Sequence, residues 1–244
     1  MLYRPILKQN NMSKKIIANS SVEDPKKIII LMGAPGVGKG TQADMISKKY
    51  NIPHLSTGAI LRQFIESDPR SMDPKKRSAY DKVTNTMGTG ALVSNELVEF
   101  MLEERIKQED CKNGFILDGF PRNLDQAKHL PKIIGDLYSF IVINLSLNTD
   151  KIVERLTGRF SCKSCNKLYN KHFINPKISG ICDECGHNDF LYREDDSLEV
   201  IKNRMNVYIK ETTPLITYYQ NENYFLNISA DTTSEKVFTN IQDE

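Results

Sequence analysis

Three groups of residues in this chain could do chemistry. The first is the run Gly33-Ala34-Pro35-Gly36-Val37-Gly38-Lys39-Gly40-Thr41, in which four glycines frame a Gly–Lys pair. Glycines let several backbone N–H groups turn toward one anion, and a lysine beside a helix N-terminus adds a mobile full charge to a fixed partial one. That pattern predicts a loop that holds phosphate. The second is Asp118, at the end of the apolar run Phe115-Ile116-Leu117, placed so that its carboxylate reaches a nucleotide-bound Mg²⁺. The third is a pair of knuckles, Cys162-x2-Cys165 and Cys182-x2-Cys185, with sixteen residues between them. Four thiolates at such spacing predict a tetrahedral Zn²⁺ site. A site with all four positions filled by sulfur has no place for water or substrate, so the zinc is expected to be structural. His187 lies close enough in sequence to be a substitute ligand.

These residues need elements to position them. Lys27–Met32 reads as a buried parallel strand and Thr41–Tyr50 as a helix with Ala43 and Ile46 inward, so the glycine loop joins strand to helix. A short second strand, Asn51–Leu55, ends at Ser56-Thr57-Gly58, and Arg62 follows one helical turn later. Hydroxyl and guanidinium together can hold a second phosphate. The charged stretch 66–80, with Pro69 and Pro74, is expected to be a solvated loop. A helix over Asn95–Lys107 with Ser94 as its cap, an apolar strand at Tyr138–Leu147, and a helix carrying Arg155 and Arg159 on one face follow. A long helix is expected from about Leu191 through Arg204 to Tyr208, then a last strand at Tyr224–Ser229 and a closing helix at Ser234–Ile241.

Bulk composition narrows the function classes. At 244 residues with 39% hydrophobic and 26% charged residues, the chain suits one domain with one or two small insertions. A net charge of +2 gives no global field for nucleic acid, and no apolar run is long enough for a membrane helix. Anion binding must be local. The chain has ten arginines, and six of them (62, 122, 155, 159, 193 and 204) fall in or beside the segments above. Residues 1–26 are read as a basic extension. It carries Arg4, Lys8, Lys14 and Lys15 before its first acid, Glu23, which is compatible with import into mitochondria. A cytoplasmic site is the primary expectation. Cys111 reads as a buried small residue, and His54 as structural.

The Gly40-Thr41 order after Lys39, with Pro35 inside the loop, resembles the nucleoside monophosphate kinases, and the adenylate kinase family in particular. Asp118-Gly119-Phe120-Pro121-Arg122, Glu154-Arg155-Leu156-Thr157-Gly158-Arg159 and the four-cysteine segment with Tyr169, Phe173 and Asn175-Pro176-Lys177 carry the same resemblance, which covers about residues 27–244. It implies an α/β fold: a five-stranded parallel sheet with helices on both faces, a segment at 56–93 for the acceptor nucleotide, and a zinc-bearing lid at 159–193. It implies reversible, Mg²⁺-dependent transfer of a phosphoryl group from ATP to AMP. By resemblance the donor nucleotide meets Gly36, Val37, Gly38, Lys39, Gly40, Thr41, Arg155 and Arg159. AMP meets Thr57, Arg62, Val93, Gly119, Arg122, Gln126, Arg193 and Arg204. Lys39, Asp118, Arg122, Arg159, Arg193 and Arg204 surround the transferred group. Asp195 and Asp196 would orient arginines. The family usually has an acid at the position of Ala59, so a local hydrogen bond is missing there; it often has Asp-Gly where this chain has Asp231-Thr232, at the turn that borders the donor base, so GTP as donor is the nearest alternative. A P-loop nucleotide switch with a zinc module is the non-enzymatic one. No nucleic-acid or membrane partner is expected, and the chain is expected to act as a monomer.

Overall fold

The computed structural model describes residues 26–71, 74–135, 138–222 and 224–244. Reading of the basic extension therefore lies outside the described residues, apart from its final lysine, Lys26. At the centre is a parallel sheet of five strands in the order β2-β3-β1-β4-β8. These are β1 (Lys26–Gly33), β2 (His54–Ser56), β3 (Gly114–Asp118), β4 (Tyr138–Ser146) and β8 (Phe225–Ser229). β1 lies between β3 and β4, with Ile30 beside Leu117 and Val142. Strands covered on both faces must be apolar on both, which is why β1 reads as a continuous hydrophobic run.

Alternate residues of β1 feed two cores. Ile28, Ile30 and Met32 pack on one face with α2 (Thr57–Glu66), α4 (Asn95–Ile106), α5 (Leu124–Ile134) and α8 (Thr213–Tyr219), through Leu61, Leu102, Leu130 and Leu215. On the other face Leu31 packs with α1 (Lys39–Tyr50) and α9 (Ser234–Asp243), through Ala43, Ile46, Val237 and Ile241. The fold expectation holds: helices flank both faces of a five-stranded parallel sheet.

Three local expectations fail. Residues 66–80 are not a loop throughout, because α3 runs over Pro74–Thr89. Proline is tolerated in a first helical turn, and the charged residues after it are good helix formers. Among the described side chains of this helix only Val83 is fully buried, so no apolar stripe announced it. The helix expected from Leu191 is broken. Residues Phe190–Tyr192 form the strand β7, and α7 begins only at Leu198, where the Ser197 side chain caps it by accepting from Val200 N–H at 3.4 Å. Finally, α6 (Thr149–Thr157) ends at Gly158, so Arg159 opens β5 (Arg159–Cys162) and shares no helix face with Arg155.

A second, smaller sheet has the order β6-β5-β7, antiparallel, with β6 at Leu168–Asn170. Its interior consists of Phe160, Cys162, Tyr169 and Cys182, with Cys165 and Phe190 against them.

Candidate active site

The C-terminal ends of β1 and β3 and the N-termini of α1 and α2 meet at one cleft, as expected where a parallel sheet changes winding direction. The glycine-rich loop leaves β1 and enters α1 through Gly38, whose φ of 112° is open to glycine at little cost. Lys39 then turns back over the loop and donates from Nζ to the carbonyls of Gly33 (2.8 Å) and Ala34 (2.9 Å). Burial pushes its pKa down to about 8, against the pull of Asp118 and with the push of Arg122, Arg204 and Arg159. The ammonium is held, but by weak substitutes for an anion. Gly36, Val37, Gly40 and Thr41 complete the loop and the first turn of α1.

Asp118 ends β3 beside this loop. Burial opposes its charge, but a hydrogen bond from His54 and the nearby Lys39 hold its carboxyl below the usual carboxylate range. His54 lies with Nε2 3.2 Å from Asp118 Oδ2 and Nδ1 2.8 Å from Asp44 Oδ1. Burial would lower its pKa, yet the two carboxylates raise it to about 9. Reading His54 as structural therefore misses that it bridges α1 to the carboxylate at the cleft. That partner is 64 residues away in sequence, and no local pattern signals it.

Across the cleft, Thr57 donates through Oγ1 to the carbonyl of Gly119 at 3.0 Å. A side chain at Gly119 would meet that hydroxyl at 2.6 Å, so the close approach of β3's end to α2 requires glycine there. Arg122 Nε donates to the Gly119 carbonyl at 3.0 Å, and its backbone N–H donates to Gln126 Oε1 at 2.7 Å. Thr57, Arg62, Val93, Arg122, Gln126 and Arg204 line one open pocket. The residues assigned to the acceptor are thus gathered, except that Arg193 stands beside the pocket without lining it.

The remaining arginines are held by carboxylates. Arg159 makes a bidentate pair with Asp196, both distances 2.7 Å. Arg204 Nη1 donates to Asp195 Oδ2 (3.1 Å) and Asp196 Oδ1 (3.0 Å). Arg193 is buried and crowded by Arg159 and Arg62, which brings its pKa to about 10 despite Asp195 and Asp196. Around the cleft stand six cations (Lys39, Arg62, Arg122, Arg159, Arg193, Arg204) and three carboxylates (Asp118, Asp195, Asp196). Clustered cations, half-buried apart from the exposed Arg122 and in excess of their counter-charges, are stabilised by a polyanion. Arg155 stands apart from this group. Its guanidinium donates to the carbonyls of Val37 (3.1 Å) and Ala230 (3.2 Å), tying α6 to the loop and to the turn after β8.

The four cysteines converge. Their sulfurs all lie within 4.8 Å of one another, with Cys162–Cys185 and Cys165–Cys182 each at 3.5 Å. Four thiolates at about 2.3 Å from one ion in a tetrahedron would be spaced nearly so, and the donor set fits Zn²⁺. Tyr169 Oη donates to Cys182 Sγ at 3.4 Å. His187 contributes its backbone carbonyl, which accepts from Cys182 N–H at 2.8 Å, and its imidazole is not in the cluster. Cys111 is fully buried, with burial pushing its thiol up to about 11.

The adenylate kinase family model matches residues 31–224. The adenylate kinase of Limosilactobacillus reuteri is 42% identical over 217 residues, covering 88% of this chain and 96% of that protein. Those of Rickettsia africae (39% over 215 residues, 88% and 97%) and Lactiplantibacillus plantarum (41% over 217 residues, 88% and 95%) are similar to it as well. With the cleft at the end of the parallel sheet and matches spanning most of both partners, the chain belongs to the adenylate kinase family of nucleoside monophosphate kinases.

Proposed function

We propose that this enzyme transfers the terminal phosphoryl group of ATP to AMP, reversibly, giving two ADP. The observation that carries the reading is convergence. Burial depresses the pKa of Lys39 at the glycine loop, and Arg122 and Arg204 at the Thr57–Gln126 pocket stand near enough to push it the same way. One cleft thus offers cations to two phosphate groups at once, which a nucleotide switch does not need.

Donor phosphates would lie on the amides of Gly36 to Thr41, under Lys39, with Arg155 and Arg159 at the lid side. AMP would enter between α2 and α4. Arg62, Arg122, Arg193 and Arg204 would take its phosphate, Thr57 and Gly119 would sit at the ribose side, and Val93 and Gln126 at its base. The acceptor is itself a phosphate, largely ionised at neutral pH, so the step needs no strong base. Catalysis is then alignment and charge neutralisation in a site from which water is excluded. The Thr41 hydroxyl and Asp118 carboxylate are hard-oxygen donors that fit Mg²⁺. When bound with the nucleotide, Mg²⁺ would reduce the repulsion between phosphate oxygens.

The segment 159–193 would close over the donor, with Asp195 and Asp196 holding its arginines at the base. Zn²⁺ on Cys162, Cys165, Cys182 and Cys185 would supply rigidity there and no chemistry. Both phosphate sets lie within one chain, so one chain suffices as the working unit. Among the described residues no helix is long and apolar enough to cross a membrane, and unpaired cysteines suit a reducing compartment such as the cytoplasm. GTP as donor is the second reading, favoured by the Asp231-Thr232 turn that borders the donor base. A coupled assay decides both points, with AMP as acceptor and ATP, GTP and ITP as donors at equal concentration. Turnover highest with ATP supports the reading, a GTP preference replaces it with the second, and no AMP-dependent turnover with any donor overturns it.

A further inference from the structure

Three side-chain amides and two backbone N–H groups at the acceptor pocket form a relay of four hydrogen bonds. The oxygen and nitrogen of an Asn or Gln amide look alike in shape, so each orientation must be assigned from partners whose polarity is fixed. Here two backbone N–H groups fix it. The N–H of Gln126 donates to Asn123 Oδ1 at 2.9 Å, because Asn123 caps α5. Asn123 must then present Nδ2 to α4, where it donates to Asn95 Oδ1 at 2.9 Å. Asn95 therefore offers an oxygen, and Gln126 must donate to it from Nε2, at 3.0 Å. At the other end the backbone N–H of Arg122 donates to Gln126 Oε1 at 2.7 Å. Both ends demand the same orientation of the Gln126 amide, which is only 2% exposed and borders the pocket.

We infer that Asn95 is a positioning residue that sets acceptor-base specificity by locking the Gln126 amide in one orientation. The inference rests on the acceptor reading of this pocket. With Oε1 and Nε2 fixed, one N–H and one oxygen lone pair remain for a base, in one order only. Adenine offers an acceptor at N1 beside a donor at N6, and hypoxanthine offers the reverse, a donor at N1 beside an acceptor at O6. A locked Gln126 matches adenine. A flipped one would match hypoxanthine, but it would set two oxygens against each other at Asn95 and two donors at Arg122. Asn95 is the first residue of α4, half-buried, and its side chain accepts from Asn123 and Gln126 behind the residues that line the pocket. Its effect therefore passes through Gln126.

The test compares AMP with IMP as acceptors for Asn95→Leu, which keeps bulk without an acceptor atom, Asn95→Ala and Asn95→Asp. For Leu and Ala the KM for AMP should rise about tenfold and the AMP-to-IMP ratio of kcat/KM should fall about tenfold, with the donor KM and kcat within roughly twofold of the unmodified enzyme. Asn95→Asp keeps an oxygen facing both donors and should keep the ratio. An unchanged ratio in a folded Leu or Ala variant, or an Asp variant no better than Ala, overturns the inference, and so does a uniform loss in which kcat and both KM values change together. Slow exchange of the Gln126 side-chain amide in the unmodified protein supports the same lock without any variant, whereas a fast-averaging amide overturns it. Should the unmodified enzyme phosphorylate no acceptor, the acceptor reading fails, and equilibrium binding of AMP against IMP to the same proteins still decides the orientation claim.

Discussion

The central sheet and the cysteine module both feed the arginine cluster, through Arg122 just after β3 and Arg159 at the start of β5, yet they draw rigidity from different sources. β1, β3 and β4 are covered on both faces, and Ile28, Ile30, Phe115, Ile116, Leu117 and Val142 are all fully buried. Apolar burial of this extent, at roughly 25 cal/mol per Å², is ample to fix the loop that follows β1. The module has nothing comparable. Its interior is two aromatic rings, Phe160 stacked on Tyr169 at 5.5 Å between centroids, and two cysteines, while Phe173, Ile174 and Ile178 are each more than half exposed at 54%, 55% and 64%. A unit of that size cannot hold itself by burial, and four convergent sulfurs take over the task. The lesson concerns what each region can tolerate. Charge can be concentrated at the sheet's edge because the sheet beneath it is held by apolar burial, whereas the module's order, on the reading proposed above, would depend on an ion held by its four sulfurs.

Each prediction separates the two regions. The largest effect should come from the sheet side, where Lys39→Met removes the one mobile charge of the loop and leaves its amides. Turnover on ATP plus AMP should fall about a thousandfold, equivalent to roughly 4 kcal/mol of transition-state stabilisation, with the melting curve little changed. Steady-state kinetics beside calorimetry checks this, and a variant keeping half its activity would remove the loop from the reaction. Next is Arg122→Ala, which should raise the AMP requirement and slow turnover by about 30- to 1000-fold together while ATP affinity stays nearly intact. Both results read the rigid side.

The module should respond in the reverse way. Cys165→Ser with Cys185→Ser, or a chelator, should remove about one zinc per chain and loosen 159–193 before the sheet melts. Amide exchange reads it: faster exchange at Phe160 and Tyr169 with Ile30 and Leu117 still protected is expected. Metal-free protein whose module exchanges as slowly as before would erase the contrast drawn above.

The smallest effect is a proton. Lys39 titrates near 8 when free, below its ordinary value because it is buried. Donor phosphates should raise it again, so binding takes up protons above pH 8 and affinity falls as pH rises through that point. The sign follows from the bound state holding more protons than the free one. Calorimetry of ATP binding at pH 8.5 in buffers of different ionisation heat should show uptake of about three-quarters of a proton, the unprotonated fraction of Lys39 half a unit above its pKa. Lys39→Met should abolish it.

How much of this was legible in sequence follows the same division. β1, β3 and β4 are apolar runs closed by glycine or polar residues, and doubly covered strands have no other way to read. The cysteine quartet was equally plain, since ligand spacing is set by coordination geometry. What escaped was set by tertiary contact. α3 begins with a run of charges and turns inward at Val83 and, one helical turn on, at Met87, too few apolar positions to set a clear period. Arg155 and Arg159 are spaced like helix neighbours, and only the end of α6 at Gly158 separates them, one to the Val37 and Ala230 carbonyls and the other to Asp196. His54 and Asn95 act through partners 64 and 31 residues away, beyond any local pattern.

The central claim is that a phosphoryl group passes from one nucleotide to another inside a single cluster of cations lining one cleft. Phosphorus NMR of ATP and AMP with Mg²⁺ and catalytic amounts of the enzyme tests it most directly. The account predicts two ADP formed for each ATP and AMP consumed, reached equally from pure ADP, with no inorganic phosphate accumulating. ATP consumed at the same rate without AMP, with inorganic phosphate as the product, would contradict it.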